Sequence, residues 1–272
     1  MKKERAFCAV VIVTYDSERF ITKAMHALKD QTRAADQIVI VDSGSKDPSY
    51  LTPLARDAKV LLGGQDIGFC AANNLGVLEV DLRTDYVLFL NPDAFLSPIF
   101  LEKALDFMEQ RVECAALTGI TYGYDIDRDE PTGLYDSTGI FRTWYGRWFD
   151  RAQNERVVKG RFSKAESVPA ICGALLLCRK SMLPSKVFDP KLFMYKEDVD
   201  LCLRLRKEGH TLFFVPDLSA YHCRGWKSRN RMARRWRLLS ARNGLIVAWR
   251  ERSFVALIYR FLQYVVVKVL NV

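Results

Sequence analysis

The chain has 272 residues, about half of them apolar, with 41 basic and 32 acidic side chains and a net charge of +9. This is enough for one large or two small domains around a sizeable core. Seven cysteines, an odd number with no CxxC pair among them, exclude a disulfide framework and a cysteine zinc site and point to a reducing compartment.

The start, Met1-Lys2-Lys3-Glu4-Arg5, is basic, but the apolar run after it is short and lacks a small-residue cleavage site. It reads as a first core strand and not as a secretory leader. That strand, residues 8–14, is an unbroken β-rich run of the kind buried on both faces. A helical stretch follows over 17–31. A second strand, Gln37–Asp42, ends on an acid and runs into the turn-rich Ser43-Gly44-Ser45-Lys46-Asp47-Pro48. A further helix, a short strand at Lys59–Leu62 and a glycine pair lead to Asp66-Ile67-Gly68-Phe69. Residues 71–79 read as helix, and 86–90 as a fourth strand that runs out into Asn91-Pro92-Asp93. Strands alternating with helices predict an α/β fold with a parallel sheet and right-handed crossovers.

Residues 119–168, rich in Gly, Asp, Arg and aromatics, break this rhythm. They predict irregular hairpins or loops lying over the sheet, where a variable substrate site would sit. Residues 171–177 read as another buried strand, and 211–216 as a late strand stopped by Pro216. Between them, Phe193-Met194-Tyr195-Lys196-Glu197-Asp198-Val199-Asp200 places three acids at the start of a helical pattern. The sequence shows no internal repeat and no low-complexity segment.

Charge is unevenly spread. Residues 218–272 hold 12 basic side chains and one acid, Glu251, whereas the first 217 are close to neutral. A basic tail on a near-neutral body points to an anionic partner surface, lipid headgroups or nucleic acid. The tail reads as helical from Arg229. On a helical wheel of 253–272 the polar Arg260, Gln263, Lys268 and Asn271 share one face with Arg252. Phe254, Leu257, Ile258, Phe261, Leu262, Val265, Val266 and Val269 cover the rest. The polar interruptions argue against a span, and for an amphipathic helix lying in a membrane interface. The alternative is a helix packed on the body or on a second copy, so a homo-oligomer stays an open partner.

Asp93, at the end of a buried strand, is placed to hold a hard cation on a phosphate, although Asn-Pro-Asp is also an ordinary turn. Asn91 can bond neighbouring backbone or sugar hydroxyls. His222, after the late strand, can be the cation's second protein ligand. A carboxylate at 197 or 198 can be a general base. The two point about 100° apart on a helix, so only one of them can serve, and Asp200 can equally cap that helix. All three acids also fit a plain charge cluster at a helix N-terminus.

The ordered set decides. Val11-Ile12-Val13-Thr14-Tyr15, Val41-Asp42-Ser43-Gly44-Ser45-Lys46-Asp47, Gly68-Phe69 with Asn73-Asn74-Leu75-Gly76, Leu90-Asn91-Pro92-Asp93, Gly173-Ala174, the 193–202 segment and His222 resemble the family 2 glycosyltransferases, and within them the rhamnosyltransferase-like branch. The likeness spans about residues 7–226. It implies a GT-A fold, a mixed sheet flanked by helices. Residues 1–226 would be the transferase, with 1–95 the nucleotide-binding half and 96–226 the acceptor-binding half, and 227–272 the helical tail. It implies inverting transfer of a sugar from a nucleotide-diphospho-sugar, with dTDP-rhamnose the leading donor, to a lipid-linked glycan in bacterial cell-surface polysaccharide assembly. By the same resemblance Thr14, Tyr15 and Asp42 hold base and ribose, and Gly68, Phe69 and Asn73 border the nucleotide. Asp93 holds Mg2+ or Mn2+, and Asp198 is the base. The family's DxD position here has one acid fewer, which lowers the expected metal affinity. Basic residues in 223–229 can neutralise the diphosphate or face a membrane. Asp136-Ser137-Thr138-Gly139 and Gly146-Arg147 with Asp150-Arg151 also match that branch, in the acceptor region. The expected location is cytoplasmic, peripheral on the inner face of the membrane. Rival readings are a polyprenyl-phosphate glycosyltransferase and a protein that binds membrane or nucleic acid through its basic tail. The run of basic residues into an apolar helix favours membrane, so no nucleic acid is expected.

Overall fold

The computed structural model describes residues 5–224 and 232–270. In chain order the elements are β1 (Phe7–Thr14), α1 (Glu18–Lys29), β2 (Gln37–Asp42), a 3-10 segment (Pro48–Arg56), β3 (Lys59–Leu62), α2 (Gly68–Leu78), β4 (Thr84–Leu90), β5 (Ala94–Leu96), α3 (Phe100–Gln110) and β6 (Cys114–Asp125). There follow β7 (Glu130–Ser137), β8 (Ile140–Arg142), β9 (Trp148–Asp150), β10 (Glu166–Ser167), β11 (Leu175–Arg179), α4 (Glu197–Lys207), β12 (Thr211–His222), α5 (Arg234–Arg250) and α6 (Phe254–Leu270).

The main sheet runs β10-β12-β6-β11-β4-β1-β2-β3. The β4-β1-β2-β3 part is parallel, and β11 enters it antiparallel, pairing Leu175 with Leu90. Successive β1 side chains alternate between two cores, as the two-residue repeat of a strand requires. Val11 and Val13 face the core shared with Ala72 of α2 and Leu205 of α4. Val10 and Ile12 face the core shared with Met25 of α1 and Phe100 of α3. That is why β1 reads as continuously apolar: both of its faces are covered. Ile21, Ala24, Met25 and Leu28 give α1 one buried stripe at helical spacing.

Three expectations change. The segment after 119 does form hairpins, β6–β7 and β8–β9, but the first of them lies in the main sheet and not over it: β6 continues to Asp125 and β7 pairs antiparallel along it. Pro216 does not stop the late strand. The register between β12 and β6 shifts between Phe214 and Ser219, and β12 resumes to His222. A bulge of this kind absorbs the missing proline N–H without ending the ladder. The helical tail is two helices, broken at Arg252, whose φ is +55°.

The first tail helix is docked on the body. Ala241, Asn243, Gly244, Val247 and Ala248 of α5 are buried. The second, α6, lies on α5 and on the β8–β9 hairpin. A Cβ at Gly146 would sit 2.3 Å from that of Ala256. Of the polar face of α6, Arg260 turns inward: it is buried and donates to the Gly146 carbonyl at 2.9 Å and to Gln263 at 2.7 Å, while Lys268 stays exposed. Its apolar side chains Phe254, Ile258, Phe261, Leu262, Val265 and Val269 are exposed. Among the described residues no helix is long and apolar enough to cross a membrane.

All seven cysteines are free. Burial pushes Cys8, Cys114, Cys202 and Cys223 up to about 12, and raises Cys70, Cys172 and Cys178 as well.

Candidate active site

Parallel strands bring their carboxyl ends to one edge, and ligands collect there in open α/β sheets. At that edge Thr14, ending β1, lies level with Asp42, ending β2. The Thr14 hydroxyl donates to Asp42 Oδ2 at 3.2 Å. Asp42 Oδ1 also accepts the backbone N–H of Gly44 at 3.0 Å and of Ser45 at 2.8 Å, so its carboxylate shapes the 43–46 turn. Gly44 has φ +102°, and a Cβ there would collide with the Gln65 backbone. The 42–46 and 63–68 turns therefore pack together as one rim. Asp66 Oδ1 ties them further, accepting from Ser43 at 3.4 Å and from Gly68 N at 3.2 Å. Tyr15 is about half exposed above this rim. Asn73 is buried within α2 and its amide donates to Phe69 O at 2.9 Å.

The next parallel strand, β4, delivers Asn91 and Asp93. Asp93 Oδ1 lies 3.3 Å from His222 Nε2 at the end of β12. His222 Nδ1 is 2.8 Å from Asp136 Oδ2 on β7, and Asp136 in turn binds Arg224 at 2.5 Å. Arg224 continues to Asp150 of β9 at 3.0 Å. Burial works against a charged imidazole, but Asp93 and Asp136 outweigh it and push His222 up to about 10. Asp136 also fixes the ring: with Nδ1 engaged, Nε2 faces Asp93. A carboxylate behind a histidine is the usual way such a ligand is oriented toward a metal. Once the Nε2 proton is displaced, Asp93 and His222 fit a divalent cation as a two-donor site. Among the described residues no group of three or more His, Cys, Asp or Glu side chains is arranged to hold one alone. The remaining donors would be diphosphate oxygens and water, the ordinary arrangement for Mg2+.

The three acids sit after a strained turn. Phe193 has φ +63° and ψ −64°, with Met194 N bonded to Leu192 O at 2.7 Å: a γ-turn of the rare hand. Tyr195 and Lys196 both have φ +71°. Each such non-glycine residue costs on the order of 1–3 kcal/mol and persists only where its surroundings dictate it. The start of α2 contributes to that grip. Phe193 O accepts from Cys70 N at 2.9 Å, and the Phe193 ring fills the space a Gly68 side chain would need, 2.5 Å from its Cβ position.

Beyond the turn the acids separate by role. Asp200 is buried in ion pairs, to Arg204 at 3.0 Å and Arg250 at 2.5 Å, and is structural. Asp198 accepts Gly173 N at 3.2 Å and Val199 N at 2.7 Å. Glu197 is buried, and its Oε2 has no hydrogen-bond partner. Burial raises both carboxyls. The Asp198 charge adds to the effect on Glu197, which is pushed up to about 8, while Lys196 opposes the rise at Asp198. Backbone donors favour the ionised form, so Asp198 is the carboxylate and Glu197 keeps the proton. Gly173 sits two residues before Leu175, the partner of Leu90, and Asn91 N donates to Ala174 O at 3.0 Å. The backbone thus ties Asp198 to the end of β4 that carries Asp93.

Of the residues singled out in the sequence, Thr14 with Asp42, Asp93 with His222, and Gly68 with the 193–198 turn come together. Asp136 and Asp150, given no role from sequence, join one network through Arg224, which was expected to neutralise the diphosphate or face a membrane and is instead paired with these two carboxylates; Asp66 belongs to the 42–46 and 63–68 rim. Asp136 is 86 positions from its partner His222, a pairing that only the β6–β7–β12 topology reveals. Of the basic loop after His222, residues 225–231 lie outside the described residues. A groove lined by Arg5, Phe7, Arg83 and Arg179 lies at the other, amino end of β1 and β4 and holds none of these side chains.

The sequence model of the family described as glycosyl transferase family 2 matches residues 9–183. Rhamnosyltransferase WbbL of Escherichia coli is 26% identical over 248 residues, 85% of this chain and 89% of that protein. The N-acetylglucosaminyl-diphospho-decaprenol L-rhamnosyltransferase of Mycobacterium tuberculosis is 27% identical over 235 residues, 78% of this chain and 75% of that protein. Among solved structures, GalNAc-T7 with UDP, GalNAc and Mn2+ superposes with a TM-score of 0.65 at 15% identity, over 91% of this chain but only 52% of that one. At that identity the likeness is one of fold.

Proposed function

Since the chain belongs to glycosyl transferase family 2 and carries its GT-A fold, we propose that it transfers a sugar, with inversion, from a nucleotide-diphospho-sugar to a hydroxyl of a lipid-linked glycan. What supports this reading is the backbone link, through Gly173, Ala174 and Asn91, between the end of β4, beside the Asp93–His222 pair, and Asp198 at the start of α4, groups suited to opposite tasks. In single displacement the hydroxyl attacks the anomeric carbon from the face opposite the leaving diphosphate. It must lose its proton on the acceptor side, where ionised Asp198 takes it. Thr14, Asp42 and the turns they shape border the nucleoside, with Tyr15 above and the Gly68–Phe69 rim beside it. Asp93 and His222 would hold Mg2+ or Mn2+, which when bound offsets the charge gathering on the diphosphate.

The sequence relatives support rhamnose as the sugar and a sugar-diphospho-polyprenol as the acceptor class, those being the terms of their names. A lipid-linked acceptor fits the outward apolar face of α6, with exposed Arg234, Arg235 and Lys268 nearby. On this reading the enzyme works peripherally at the inner face of the membrane. Arg242 and Arg250 are engaged with the body, to Lys191 O and to Asp200, which counts against a nucleic-acid surface built on the tail. The test is a panel of nucleotide-diphospho-sugars offered with a diphospho-polyprenol-linked sugar, with and without a metal chelator. Transfer from dTDP-rhamnose that the chelator abolishes supports the reading. Transfer that survives chelation removes the metal, and transfer only to free polyprenyl phosphate removes the acceptor.

A further inference from the structure

The turn that presents Asp198 is held from an unexpected quarter. Asn243, in the middle of α5, is completely buried. Its side-chain amide nitrogen donates to Leu192 O at 2.6 Å, Met194 O at 2.9 Å and Tyr195 O at 3.0 Å. The fourth carbonyl of the run, Phe193 O, is the one taken by Cys70 N. Every carbonyl from Leu192 to Tyr195 is therefore engaged, three of them by one side chain fifty residues away. The neighbours of Asn243 reinforce the grip. Arg242 donates to Lys191 O at 2.8 Å, and the Trp236 ring stacks on Phe193 at 6.3 Å between centroids and 16° between planes.

Left-handed conformations at Phe193, Tyr195 and Lys196 are not chosen by the residues themselves, none of which is glycine. An external constraint must select them. A primary amide has two N–H donors, so the three converging carbonyls share them, one N–H being bifurcated between two oxygens. Were these contacts absent, the turn would relax toward ordinary backbone and the first residues of α4 would rotate. Asp198 would then leave Gly173.

We propose that Asn243 is a positioning residue of the transfer reaction, its amide holding the Leu192–Tyr195 turn in the one conformation that aims Asp198 at the acceptor hydroxyl. This rests on Asp198 being the base. It adds that the constellation is completed by α5, outside the sheet and outside the 9–183 stretch that the family model matches.

The experiment uses the full chain and compares Asn243→Ala with wild type in both the native and the Asp198→Asn background. The expected result is a fall in kcat on the order of 10²-fold, the cost of a misplacement of about 1 Å. Affinity for the nucleotide diphosphate by calorimetry should fall far less than kcat, because Thr14, Asp42 and Asp93 sit on other elements and only the Gly68–Cys70 rim touches the turn. Hydrogen exchange should quicken over residues 192–199 and stay unchanged in β1 and β4. Added to Asp198→Asn, the Asn243→Ala change should cost little more, since the two act as one unit. If Asn243→Ala does not fold, Asn243→Ser, which keeps one donor, should give a smaller loss of the same pattern. Near-wild-type kcat, or an equal loss of nucleotide affinity, would overturn the proposal. An active Asp198→Asn enzyme would instead unseat the base, while the exchange result would still report on the clamp.

Discussion

Replacing Glu197 by Gln should make the folded chain more stable at alkaline pH and leave turnover largely intact. Glu197 is 8% exposed, one of its oxygens has no partner, and it lies beside another acid. Its ordinary value of 4.5 rises to about 8 in the folded protein. One pKa unit corresponds to about 1.4 kcal/mol, so ionising it in place would cost roughly 5 kcal/mol were it titrating alone. Because it is coupled to Asp198, that figure is the ceiling for the Glu197 substitution. The sign follows from proton binding. The unfolded chain releases this proton near 4.5 and the folded chain near 8. Between those values the folded state binds more protons, and stability falls as pH rises. Below about pH 4.5 the two states are equally protonated and the effect vanishes. Urea unfolding of wild type and Glu197→Gln at pH 5, 6.5 and 8.5 measures it: the gain from the substitution should grow with pH. A gain that does not change with pH would show that Glu197 is ionised in the native protein. Loss of turnover in the same variant would make it, and not Asp198, the base.

Asp198→Asn should lower transfer by about 10²–10⁴-fold while nucleotide binding stays close to wild type; steady-state kinetics paired with calorimetry checks both halves. Asp93→Ala should weaken nucleotide diphosphate binding and make what remains indifferent to Mg2+, Mn2+ or chelator, whereas wild type should respond to all three; calorimetry of wild type unaffected by chelator would remove the metal. Phe261→Asp with Leu262→Asp, both on the exposed face of α6, should leave the melting temperature nearly unchanged. It should cut cosedimentation with anionic liposomes by roughly tenfold or more, since it removes apolar burial. Unaltered liposome binding would mean that this face is not what meets the lipid.

The first half of the sheet was legible because nothing in it depends on distant chain. The runs at β1, β2 and β3 are apolar stretches bounded by turn residues, and the structure keeps their limits within a residue or so. The second half depends on pairing across long separations, and there the sequence indicated hairpins but not that β6 and β7 belong to the main sheet. Gly123, Tyr122 and Tyr124 look like loop residues until β7 pairs beside them, and Pro216 looks like a stop until a bulge takes it in. The same division runs through the site. Asp42 and Asp93 stand at strand ends, where local pattern suffices to locate them. Asp136 behind His222 and Asn243 behind the 192–195 turn act across 86 and about 50 positions, and no periodicity encodes such a contact. Nor does a sequence disclose that Phe193, Tyr195 and Lys196 are left-handed, since their identities argue against it.

The buried thiols have a practical consequence. Alkylating reagents attack thiolate, and all seven native cysteines have their ionisation pushed far above neutral pH by burial. The wild-type chain is thus close to a cysteine-free background for labelling. A single cysteine introduced at position 258 or 265, on the outward side of α6, would take up a nitroxide or environment-sensitive dye faster than the native seven, five of which are buried and two, Cys172 and Cys223, partly so. The depth of that probe in a bilayer could then be read directly, in a protein whose core had not been altered to make room for the measurement.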